Sequence, residues 1–230
     1  MLTLKEAIDV RKSHRNYTGT PLTAEQASEL EALVARINEE SGLSVKLIQN
    51  SPSFFKNSFT GVQGASSYFA LIGQKKYIYL LERVGYYGEQ IVLSTTAMGL
   101  GTCWVSVYLS NDNSPCEVAD DETLVMVIAV GEVAEEITFD DEFARNRQHR
   151  SSRPIGYFYD AIGEVPAWFI EGMEAVAKAP SHQNTQPVKF FYKQDKILAY
   201  VDGVPAIQNV DLGIAECHFE VATGKKVFNK

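Results

Sequence analysis

Apolar residues recur at helical spacing from Thr23 to Asn38, where Leu30, Leu33, Val34 and Ile37 share one face. Thr23, followed three residues later by Gln26, supplies a capping-box start. The period then changes. Val45-Lys46-Leu47-Ile48 and Ser67-Tyr68-Phe69-Ala70-Leu71-Ile72-Gly73 predict strands, and the second, apolar on both faces, predicts a central one. Gly88 to Gly99 predicts a largely buried helix with a glycine stop, and Thr123 to Val130 another central strand. Pro166 to Lys178 predicts an amphipathic helix with Phe169, Met173, Val176 and Ala177 inward, ended by Pro180. Strands at Val188–Tyr192 and Lys196–Asp202 follow, then a helix from about Asp211 to Thr223. The alternation predicts an α/β (α+β) chain built around mixed sheets.

The order repeats. Arg11-Lys12-Ser13 has a counterpart in Arg150-Ser151-Ser152, an offset of 150 − 11 = 139. The helix around Leu33 and the strand from Val45 match the helix around Val176 and the strand from Val188, with 176 − 33 = 188 − 45 = 143. Gly73 matches Gly203, and the two later helices each run between glycines eleven residues apart, 88 to 99 and 213 to 224. A tandem duplication is the expectation, with residues 1–140 and 141–230 as two halves in a pseudo-twofold arrangement. Any α/β chain gives this order loosely, so coincidence is the competing account.

Composition narrows the function classes. With 45% hydrophobic and 22% charged residues, the 230-residue chain reads as globular. Its formal charge of −8 argues against a general nucleic-acid binder. No apolar run is long enough to span a bilayer, and the acid-bearing start lacks a secretory h-region. Cys103, Cys116 and Cys217 are odd in number and widely spaced, as expected of reduced thiols in a cytoplasm. Cys103 and Cys217 lie in apolar surroundings and read as core thiols. His14, His149, His182 and His218 are scattered without metal-ligand spacing.

Three segments could carry chemistry. Arg11-Lys12-Ser13-His14-Arg15 is the densest basic cluster, able to converge guanidiniums and a hydroxyl on one phosphate; as a spacing alone it equally describes a solvated face. Ala179-Pro180-Ser181-His182-Gln183-Asn184-Thr185-Gln186-Pro187 lies between a helix and a strand, held by prolines at both ends. Its amides suit the polar edge of a flat heterocycle, or simply make a good turn. Met98-Gly99-Leu100-Gly101-Thr102-Cys103-Trp104-Val105 closes the buried helix. Its glycines permit close backbone approach and Trp104 could cover a ligand, the alternative being a helix cap with a core tryptophan. Residues 50–66, with Phe54, Phe55 and Phe59, read either as a lid or as core.

Together these segments resemble the FMN-dependent nitroreductase family. Residues 11–17 are similar to its R-x-S-x-R-x-F/Y phosphate turn, residues 99–104 to its G-L-G-x-x-W segment, and residues 179–187 to its A-P-S-x-x-N-x-Q-P loop. In that family the last loop usually follows the first long helix; here Glu40-Ser41-Gly42-Leu43-Ser44 holds that place, and the loop appears in the second half. Family members are homodimers with flavin at the interface, so the resemblance implies a fused pair with a nitroreductase-like fold and one FMN site across the pseudo-interface. It assigns Arg11, Ser13 and Arg15 to the phosphate, with Arg147 or Arg150 as a further basic group. Trp104, Val105 and Ser106 are assigned to the flavin's reactive edge, and Pro180, Ser181, His182, Asn184 and Gln186 to the ring and ribityl side. A reciprocal site pairing Arg150 and Ser152 with Ser41 to Ser44 would be degenerate.

The activity implied is hydride transfer from NAD(P)H through FMN to a small acceptor such as a nitroaromatic or quinone, with no catalytic side chain and no metal. The family's acidic residue beside the reactive edge is replaced here by Ser106. An FMN-storing or FMN-sensing protein is the alternative, and a duplicated scaffold that has lost both sites a third. The expected partners are small molecules, with neither nucleic acid nor membrane, and the chain stands as a pseudo-dimeric monomer or dimerises again.

Overall fold

A computed structural model of the chain describes residues 1–56, 61–106, 116–134, 152–203 and 207–227. Helix α1 (Leu4–Val10) opens it, capped reciprocally by Thr3 and Glu6. Helix α2 (Ala24–Ser41) starts at the expected Thr23–Gln26 capping box and ends at Gly42, which takes the left-handed conformation (φ 68°). Strand β1 (Lys46–Ile48), the short helix α3 (Ser53–Lys56) and β2 (Ser67–Gln74) follow, then α4 (Leu80–Ala97), β3 (Gly101–Val105) and β4 (Glu122–Gly131). The remainder carries β5 (Tyr159–Ile162), α5 (Ala167–Val176), β6 (Val188–Lys193), β7 (Lys196–Val201) and α6 (Gln208–Thr223).

Two sheets form. The first is antiparallel in the order β1-β2-β4-β3, which puts β2 and β4 at its centre as their unbroken apolar runs require. The second has the order β5-β6-β7, with β5 parallel to β6 and β7 antiparallel to it. One face of the first sheet packs on α2 and α4 through Leu30, Ile37, Leu71, Ile91 and Ile128. The opposite face buries Tyr68, Ala70, Cys103 and Val127, with Phe55 in the same cluster. Phe54 stacks on Tyr68 with ring centroids 4.5 Å apart, so both phenylalanines pack as core; Phe59 lies outside the described residues. Cys217 is buried in a cluster that draws on both ends of the chain, from Ala7 and Leu93 to Ala175. No described helix is long and apolar enough to cross a membrane.

The most extensive packing between elements joins α4 and α6. It is reciprocal. A Cβ placed on Gly85 would collide with the Val210 carbonyl oxygen, and one placed on Gly213 would collide with the Glu82 carbonyl oxygen. Gly85 also faces the Ile214 nitrogen, and Gly213 the Tyr86 nitrogen. The interval is constant, 213 − 85 = 210 − 82 = 214 − 86 = 128, which is the geometry of a twofold crossing. Two differences from the sequence reading follow. Helix α4 begins at Leu80, eight residues before Gly88, because Gly85 and Gly88 are close-approach sites inside the helix: α6 lies on one and Trp104 on the other. The partner of Gly213 is accordingly Gly85. Strands β3 and β5 and helix α1 were not anticipated, being only five, four and seven residues long.

Because the crossing admits no side chain, Gly213→Ala should lower stability by about 1–3 kcal/mol or more through overpacking against backbone. Gly156→Ala, where nothing lies within 4 Å of the added carbon, should stay within about 0.5 kcal/mol of wild type. Urea unfolding of the two variants checks this, and equal midpoints would contradict the crossing.

Candidate functional site

The three chemistry-bearing segments converge. Ser13 forms a parallel bridge to Thr102 on β3, and the His14 N–H donates to the Thr102 carbonyl at 2.9 Å, so the basic turn lies along the Gly-Leu-Gly segment. At the far end of that strand Ser106 Oγ is 3.3 Å from His182 Nδ1 in the proline-bounded loop. Strand rise of roughly 3.3 Å per residue puts Ser106 roughly 13 Å from Thr102, a span on the scale of a mononucleotide. The basic turn also reaches the chain just before that loop, since Arg11 Nη2 donates to the Lys178 carbonyl at 3.4 Å. Lys178 in turn pairs with Asp9 at 2.6 Å, and Lys5 pairs with Glu171.

The loop after α5 is tightly built. Gln183, Asn184 and Gln186 all have positive φ (51°, 54° and 52°), a conformation that non-glycine residues adopt at a cost of about 1 kcal/mol or more each. Local hydrogen bonds hold them there. The Gln186 N–H donates to Ser181 Oγ at 3.0 Å, and Gln186 Nε2 donates to Asn184 Oδ1 at 2.9 Å. Gln186 Oε1 accepts the Arg153 N–H at 2.9 Å, leaving that side chain buried and inward. His182 offers its backbone N–H to Asp211 Oδ1 at 2.8 Å.

Asp211 sits in the first turn of α6, where the helix N-terminus favours a carboxylate. Burial outweighs that: it pushes the carboxyl up to about 7, the His182 N–H opposing. Oδ2 has no hydrogen-bond partner. Arg83 occupies the matching place on α4, since 211 − 83 = 128, and it donates to the Ser41 carbonyl at 2.8 Å. Each long helix thus latches the helix-to-strand loop of its own region, one through a carboxylate and the other through a guanidinium.

The basic turn is unevenly buried. The Arg11 side chain is 11% exposed, and Nε, sealed from solvent, has no hydrogen-bond partner. Its counter-charge is Glu89 of α4, fully buried, whose Oε1 stands 4.0 Å from Nε, beyond hydrogen-bond length. Desolvation lowers the guanidinium's pKa and Glu89 opposes the shift. Arg15 Nη1 lies 3.4 Å from the Ser13 carbonyl, and both side chains are half-buried. Tyr17 is buried and its hydroxyl unpartnered, with burial pushing its pKa well up.

The indole of Trp104 does not form a cover. It packs against Gly88 of α4, and Nε1 donates to Glu89 Oε2 at 2.8 Å. Val105 turns into the opposite face of the sheet, so the 104–106 segment presents its backbone and the Ser106 hydroxyl. The Ser152 hydroxyl donates to the Ala177 carbonyl at the C-terminal end of α5. Arg147 and Arg150 lie outside the described residues. The pairing of Glu89 with His218 escaped the sequence reading, although an acid set among apolar helix positions was the available signal.

Comparison with known families gives a match over residues 3–223 to a family described as "Putative TM nitroreductase". The chain belongs to this nitroreductase family. Among solved structures, a "putative nitroreductase" of Thermotoga maritima aligns with a TM-score of 0.63 and 25% identity over 96% of this chain and 83% of its own. A nitroreductase with bound FMN from Bacteroides fragilis aligns with a TM-score of 0.50 and 15% identity, covering 60% of this chain and 92% of its own, a likeness of fold. No curated protein matches the chain.

In this member of the family the Asp211 latch gives a stability signature. The unfolded aspartate ionises near 4 and the folded one near 7. The folded chain therefore holds an extra proton between those values, and Asp211's contribution falls as pH rises from about 4 to about 7, by roughly 4 kcal/mol, and is level above. Asp211→Asn keeps the acceptor for His182 without the titration. Unfolding free energies at pH 5 and 8 should then differ by less in the variant than in wild type; equal pH slopes would overturn the assignment.

Proposed function

We propose that this nitroreductase is an FMN-dependent oxidoreductase that passes hydride from NAD(P)H to a small acceptor such as a nitroaromatic or quinone. One cofactor site per chain lies where residues 11–15, 104–106 and 180–186 meet. The observation that carries the reading is Arg11. It is a nearly buried guanidinium with an unpartnered Nε, a carboxylate too far for a hydrogen bond and one long contact to a carbonyl. A cation so placed fits a dianionic group, and the phosphate of a mononucleotide is one that Ser13 and Arg15 can share.

The residues divide the work by chemistry. Arg11, Ser13 and Arg15 hold the phosphate, with Arg147 or Arg150 as a further cation. Pro180, Ser181, His182, Asn184 and Gln186 form a rigid wall for the ring and ribityl side, its shape fixed by the internal hydrogen bonds of the loop. Trp104, Val105 and Ser106 bring backbone alongside, and the Ser106–His182 contact ties that backbone to the wall. When bound, FMN supplies the two-electron ring chemistry. The chain's own task is to bind, orient and neutralise, so no side-chain acid or base is assigned.

Residues 1–140 and 141–230 act in this reading as two fused nitroreductase-like halves. Support comes from the constant 128-residue interval at the α4–α6 crossing and from the repeated order α2-β1-β2-α4 and α5-β6-β7-α6. A Bacteroides neighbour almost wholly matched by 60% of this chain accords with it.

Arg11→Ala should weaken FMN binding about tenfold or more, as expected for losing a charge-assisted hydrogen bond worth roughly 1.5–3 kcal/mol, and leave riboflavin binding little changed. Fluorescence titration measures both, and an unchanged FMN affinity would remove Arg11 from the site. Anaerobic addition of NADH and of NADPH should bleach the flavin absorbance promptly; a spectrum that stays oxidised would make the protein an FMN binder without turnover.

A further inference from the structure

Glu89 is shared by more groups than Arg11. Its Oε1 is 2.9 Å from His218 Nε2, its Oε2 accepts from Trp104 Nε1 at 2.8 Å, and all of its side chain and that of His218 are buried. The other nitrogen of the same ring, His218 Nδ1, is 3.0 Å from the Ala175 carbonyl oxygen on α5. A carbonyl oxygen can only accept, so Nδ1 carries a proton. Arg11 and Trp104 Nε1 both turn donors toward Glu89, and a carboxylate only accepts, so in that form of Glu89 Nε2 carries a proton as well. In that arrangement His218 is an imidazolium.

Two cations therefore face one carboxylate oxygen. The imidazolium takes the hydrogen bond and the guanidinium does not: 2.9 Å against 4.0 Å. We infer that His218 is a positioning residue for the anionic ligand. By occupying Glu89 Oε1 it keeps Arg11 from collapsing into an internal salt bridge and leaves the guanidinium available to an incoming phosphate. The inference rests on the FMN reading above and deepens it. It assigns to α6 and α5, remote in sequence from the basic turn, the task of setting how strongly that turn binds an anion.

The test is a charge cycle. His218→Gln keeps a neutral donor toward Glu89, so Arg11 gains sole claim on the carboxylate, and FMN affinity should fall about tenfold while riboflavin affinity holds. His218→Gln combined with Glu89→Gln removes both charges, restores the balance at Arg11 and should bring FMN affinity back to within about threefold of wild type. Wild-type protein with 15N-labelled histidine supplies a readout independent of cofactor and of any variant's folding: both ring nitrogens of His218 should show protonated shifts at pH 7. A neutral ring overturns the inference, and so does FMN binding equal in wild type and His218→Gln. Wild-type protein that takes up no FMN sinks the functional reading itself, a result distinct from either.

Discussion

Everything in this fold depends on how closely two helices cross. Where Gly85 and Gly213 meet the opposing backbones, α4 and α6 approach to a distance that no side chain permits. That approach fixes the relation between the antiparallel sheet, packed on α4, and the mixed sheet, packed on α6. It also draws residues 129 apart, Glu89 and His218, into hydrogen-bond contact within a dry interior. The basic turn and the proline-bounded loop are brought together by helices that are locked against each other.

Charge is handled in that interior by sharing. One carboxylate takes hydrogen-bond contacts from an indole and an imidazole ring and stands near a guanidinium, which is the one partner left without a hydrogen bond to it. A buried ion pair contributes little net stability because both ions are desolvated, and removing one partner leaves the other uncompensated. Arg11 therefore gains little from its surroundings, which is the property wanted of a group whose proper partner comes from outside.

Elements whose signal is local were readable in the chain. Helix α2 begins at Thr23 because its cap lies within three residues, and β2 and β4 are central because both faces of each are apolar. Elements defined by a distant partner were not. Gly85 and Gly88 look like helix breakers until α6 and Trp104 are seen lying on them. Trp104 reads as either a ligand cover or a core tryptophan until its indole is seen turned onto Glu89. The outline of the candidate site was legible from three motifs, whereas the carboxylate and imidazole behind it carry no spacing that links positions 89 and 218.

Arg83 and Asp211 stand at equivalent places on the crossing helices and hold their loops with opposite charge. In an assembly of two identical subunits, any substitution appears at both places at once, so a cationic latch on one side forces a cationic latch on the other. A single polypeptide carrying both helices is released from that bond: each side drifts alone. On the proposed reading of two fused halves, one loop was free to adopt its strained backbone while its opposite number settled into an ordinary glycine-capped turn.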